Sequence, residues 1–95
     1  MAASKTPNIS FMKSCVNKFI KGHVERWEFD LDFDHHIIKR YDKMLREDRD
    51  FAEAFAFYIS ERGVDVGRGL DDDEYRSLIH DQYQELLAVA KEGYL

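Results

Sequence analysis

The stretch Val24–His36, VERWEFDLDFDHH, alternates bulky apolar residues with acids, and its reading decides the fold. With a period of two it is a half-buried strand; with a period of 3.6 the same acids spread around a helix. A strand needs a neighbour to satisfy its edge, and the only other β-like run is the short GVDVG at 63–67. A helix is therefore expected. On it Trp27, Leu31 and Ile38 form one stripe and Phe29, Phe33 and Ile37 an adjacent one, continuing to Tyr41, Met44 and Leu45, which makes a broad apolar arc. Asp30 and Asp34 fall between the stripes, where an unpaired buried carboxylate is costly. Either Arg26 reaches Asp30 at i,i+4, or the helix breaks near Asp32–Asp34 and a second one starts at His35.

Outward from this stretch the punctuation is sparse, with one proline and five glycines in 95 residues, which favours long helices over a many-turned β fold. A first helix over 8–21 opens at Thr6-Pro7 or Asn8, buries Ile9, Met12, Val16, Phe19 and Ile20, and closes at Gly22. The second is expected over 24–46. A third over 50–62 opens on a capping box of Asp50 and Glu53, carries Phe51, Ala54, Phe55, Tyr58 and Ile59 inward, and stops at Gly63 before the loop GVDVGRGL. The fourth, over 72–91, opens on a capping box of Asp71 and Glu74, faces inward through Tyr75, Leu78, Ile79, Gln82, Leu86, Val89 and Ala90, and stops at Gly93. The expectation is an all-α, four-helix bundle-like single domain spanning residues 1–95, with residues 1–7 flexible.

Composition bounds the function. An aromatic fraction of 14% within 44% hydrophobic residues can offset the entropy of ordering, which argues against disorder. Residues 1–23 hold four lysines and no acid, whereas the ten remaining Lys and Arg face all 19 Asp and Glu, so a basic first helix precedes an acidic remainder. That balance opposes binding to nucleic acid, whose affinity comes from neutralising phosphates, and points to a basic partner. The lone Cys15 allows no internal disulfide and, on an apolar stripe, reads as a small core residue of a reducing compartment. No run approaches a membrane span and the start lacks a secretory apolar segment, so a cytoplasmic location is expected.

The acids form two groups: Glu25, Glu28, Asp30, Asp32 and Asp34, then Asp71, Asp72, Asp73 and Glu74. First-turn carboxylates account for the second group as a well-capped helix start. A solvated face accounts for Glu25, Glu28 and Asp32 but not for Asp30 and Asp34, and a site that breaks the local pattern is a candidate for binding. Asp32, His35 and His36 invite a metal, but one helix face offers at most two ligands and no second cluster completes a site. Nucleophile and base spacings for catalysis are missing, as is a phosphate loop, so neither enzymatic activity nor a cofactor is expected.

The order of parts, FMKSCVNKFIKG, then HVERWEFDLDF, FAEAFAFYI, a loop, and LDDDEYRSLIHDQYQELL, resembles the small helical immunity proteins that protect bacteria from their own nuclease toxins. These are the colicin-D-like group and related immunity proteins of contact-dependent growth inhibition. The segment DHHIIKRYDKM at 34–44 extends beyond that pattern. The resemblance implies an antitoxin without activity of its own, bound one-to-one to a basic nuclease, commonly one that cleaves tRNA, whose substrate cleft it covers with an acidic helical surface. Glu25, Glu28, Asp30, Asp32 and Asp34 are then the binding surface, with Asp71, Asp72 and Asp73 as a second patch. Tyr75 stands beside them as an aromatic anchor, while core packing is expected of Trp27. Two other classes fit the same charge: a phage or plasmid protein that mimics nucleic acid to block a host defence nuclease, and a helical adaptor whose acids serve solubility.

Overall fold

The computed structural model describes residues 5–91, except the Lys91 side chain, and those residues form four helices with no strand among them. Helix α1 is Pro7–Ile20, α2 is Arg26–Glu47, α3 begins at Arg49–Phe55, and α4 is Asp72–Lys91. The expected flexibility of 1–7 falls mostly outside the described residues, as does a stop at Gly93. Gly22, at φ 78°, takes the left-handed turn that ends α1.

The stretch at 24–36 is helical, and α2 runs unbroken through Asp32–Asp34, so no second helix starts at His35. Its arc is divided more sharply than expected. Phe29, Phe33 and Met44 are buried, but Trp27, Leu31 and Ile38 are 67%, 64% and 81% exposed, which corrects the assignment of Trp27 to the core. The reason is placement: α2 packs chiefly on α1 and α3, both on the phenylalanine side, and its opposite face is left bare.

The third helix differs most from expectation. Its N-cap is Asp48, whose carboxylate accepts from the Phe51 N–H at 3.1 Å, so the Asp50–Glu53 box does not form and Glu53 instead pairs with Arg49 at 3.5 Å. Nor does Gly63 end it. The chain continues as a π-helix, Ala56–Val64, and a last turn, Asp65–Gly67, with helical dihedrals at both junctions. The wider i→i+5 turn brings both Gly63 and Val64, four and five residues after Ile59, to the buried face. These glycines serve close approach to α4: a Cβ at Gly63 would lie 2.8 Å from Ile79 Cδ1, and one at Gly67 would overlap the Tyr75 ring.

All four helices fill the core. Phe19 of α1 stacks on Phe29 of α2 at 4.4 Å between centroids, Phe33 stacks on Phe55 of α3 at 6.1 Å, and Tyr75 of α4 tilts against Phe19 at 5.4 Å. Of the expected stripes, Ile9, Met12, Val16 and Phe19 of α1 and Tyr75, Ile79, Gln82 and Leu86 of α4 are buried, with Tyr83 added beside Gln82, whereas Ile20, Leu78, Val89 and Ala90 are only partly covered.

Helix ends are completed by other helices. Thr6 makes no side-chain cap for α1; instead Glu47, at the far end of α2, accepts from the N–H groups of Asn8 at 2.9 Å and Ile9 at 2.9 Å. Arg40 holds Asn8 Oδ1 at 2.9 Å, and Arg76 of α4 donates to the Phe19 carbonyl at 3.0 Å near the other end of α1. Burial alone would raise the Glu47 carboxyl, but the Ile9 N–H, the Asn8 amide and the Asn8 N–H outweigh it and hold it below its ordinary 4.5.

Glu47→Ala should cost about 1–2 kcal/mol in urea unfolding near neutral pH, the range for losing a cap. A carboxyl lowered by folding stabilises above its ordinary value and loses that contribution as pH falls through the folded value, so the gap to wild type should narrow in acid. Gly67→Ala should cost about 1–3 kcal/mol by overpacking against Tyr75, read as a drop in thermal midpoint.

Candidate protein-binding surface

Two helix starts meet at one end of the bundle. Glu25, in extended backbone, opens α2 by accepting from the Glu28 N–H while the Glu28 side chain takes the Glu25 N–H at 3.4 Å. Asp71 opens α4 in the same way, accepting from the Glu74 N–H at 2.8 Å while Glu74 takes the Asp71 N–H at 3.3 Å, as its spacing predicted. Donation from Glu74, then the Asp73 N–H and the Arg26 charge, holds the Asp71 carboxyl below the usual range. Carboxylates at both starts also complement the helix dipoles.

Arg26 joins the two. Its guanidinium donates to the carbonyls of Leu70 and Gly67, the latter at 3.0 Å, meets Asp72 Oδ1 at 3.2 Å, and lies 4.3 Å over the Tyr75 ring. It thereby adds donors at the end of the third helix, where the Gly67 carbonyl also accepts the Leu70 N–H at 3.0 Å, and to the Leu70 carbonyl just beyond it. The i,i+4 contact with Asp30 exists but is long, at 4.0 Å. The nearer partner of Asp30 is Tyr75, whose hydroxyl donates to Oδ1 at 2.7 Å. Burial, then that bond and the Asp30 charge, push the Tyr75 phenol far up. At 1% exposure Tyr75 is a core residue, which removes it from the anchors: its ring closes the aromatic cluster and only its hydroxyl reaches the surface carboxylate.

Of the acids singled out, Glu25, Asp30 and Asp72 line one open cleft of about 310 Å³, floored by Arg26 and walled by Trp27. Asp71 and Asp73 are exposed around the same first turn of α4. Asp34 is exposed and makes no ion pair with a described residue. Asp32 parts from the group: with Cys15, Lys18 and His36 it lines a separate hollow of about 180 Å³ between α1 and α2. There the Cys15 thiol is pushed up to about 11, first by burial and then by Asp32, so it stays protonated at neutral pH. His36 rests edge-on against Phe11 at 4.7 Å, and burial followed by the charges of His35 and Arg40 lowers its pKa. Among the described residues no three His, Cys, Asp or Glu side chains converge as a metal cluster would require.

The sequence reading missed Trp27, Leu31 and Ile38 as surface. Their spacing was visible, but which apolar stripe faces inward is decided by the neighbouring helices. The other exposed aromatics each have a cation nearby: Arg40 lies 3.8 Å over Phe11 and Arg62 lies 5.7 Å over Phe57. No such ring or cation contact joins Trp27 to a described residue. The acidic cleft therefore opens beside a bare apolar stripe, while the basic residues Lys13, Lys18, Lys21 and His23 line the outer side of α1.

Comparison with protein-family models, with curated proteins and with solved structures returned no match.

Arg26→Ala should cost about 2–3 kcal/mol by removing the charged hydrogen bonds to the Gly67 and Leu70 carbonyls, and Arg26→Lys should recover less than half of that, because one ammonium cannot span the same carbonyls. Urea unfolding of the two variants measures both.

Proposed function

We propose that this protein is a stoichiometric inhibitor of a basic nuclease toxin, as its resemblance to immunity proteins implies, and that the end of the bundle bearing the acidic cleft is what it docks. One observation carries the reading: acids more than 40 residues apart, Asp30 and Asp72, are drawn around a single exposed tryptophan by Arg26. A nuclease must hold phosphates with positive charge, so an acidic rim steers association and competes with RNA for the same cleft. The apolar stripe beside the rim favours one shape-matched protein over general mimicry of a phosphate backbone, which needs only spaced charge.

Calorimetric titration against the toxin domain encoded beside this gene, with RNA cleavage followed in parallel, tests the proposal. The expected result is one-to-one binding on the order of nanomolar that weakens with salt and abolishes cleavage. Reversing Asp34 and Asp73 to Lys, both exposed, should slow association by about tenfold or more and flatten its salt dependence, with only a small drop in thermal midpoint from the lost first-turn charge at Asp73. Undiminished cleavage at saturating protein would overturn the reading.

A further inference from the structure

The bare face of α2 carries more than charge. Trp27, Leu31 and Ile38 are spaced by four and then seven residues, which is the seam along which one helix follows another at a shallow crossing angle. The seam spans roughly 16 Å of helix axis, about three turns. It lies on one unbroken helix whose other face packs on α1 and α3, so the backbone that carries it is already formed. Asp34 falls within the step from Leu31 to Ile38, on the side that Asp30 flanks; Glu28 and His35 lie on the other side, and Lys39 follows only at the far end.

We infer that this seam docks an amphipathic helix of the partner, apolar along one stripe and lined by lysine or arginine. The inference rests on the inhibitory role proposed above and adds which element of the partner makes the contact. A second copy of this chain fits less well. Two α2 helices packed antiparallel about a two-fold place like flank on like flank, so the side bearing Asp30 and Asp34 meets its own copy.

Trp27 is the one tryptophan of the chain, and its emission reports the seam directly. The probe is a synthetic three-heptad helical peptide with leucine along one stripe and lysine on both flanks. Its binding should shift Trp27 emission to the blue and be about tenfold or more tighter than that of two control peptides, one with glutamate flanks and one with serine in place of leucine. The double variant Leu31→Ser/Ile38→Ser, altered only at exposed positions, should lose the response while keeping its far-ultraviolet circular dichroism. Equal binding by the serine peptide would leave charge alone as the cause, and equal binding by the glutamate peptide would remove the charge match; either overturns the inference. So would sedimentation of the protein alone as a dimer that the double variant abolishes, which gives the seam to a second copy. Peptide binding without toxin binding would remove the inhibitory role and keep the seam, whereas the reverse would remove the seam alone.

Discussion

The guanidinium of Arg26 is the point on which the architecture turns. It lies one residue inside α2, yet its principal partners are the carbonyls of Gly67 and Leu70, more than 40 residues later. A planar fork with several donors suits that place, because one guanidinium there spans the carbonyl of Gly67, which also accepts the Leu70 N–H, and the carbonyl of Leu70 beyond it. That contact fixes where the chain turns into α4, sets Tyr75 under the guanidinium, and brings Asp72 next to Asp30. The acidic cleft is thus a by-product of closing a helix.

The same device recurs around the molecule. Glu47 closes the start of α1 from the end of α2, Arg76 serves the end of α1 from α4, and Asp48 is at once the C-cap of one helix and the N-cap of the next. The first and third helices leave terminal groups that another helix completes. This ties the hydrogen-bond inventory to the aromatic core, since neither the caps nor the rings reach their partners until the helices are docked.

Much of the architecture was legible because its signals are local. The 3.6-residue period of Ile9, Met12, Val16 and Phe19 and the box of Asp71 with Glu74 need only neighbours a turn away. What was not legible depends on distant partners. Gly63 reads as a stop in isolation, but its missing side chain makes room for Ile79 while the helix runs on. Tyr75 reads as an aromatic among acids, but its ring belongs to the core and only its hydroxyl belongs to Asp30. For the site, sequence identified the acids but not their grouping: Asp72 joined Glu25 and Asp30, Asp32 turned away towards α1, and Trp27 emerged from the expected core. Periodicity fixes the angle between two stripes of one helix, not which of them a neighbour covers.

The two apolar faces of α2 separate tasks that many small domains must combine. Phe29 and Phe33 hold the bundle together, whereas Trp27, Leu31 and Ile38 contribute little to its stability because they remain in water when it folds. Under the docking inferred above, recognition can be rewritten on the outer face, residue by residue, with little penalty to the scaffold.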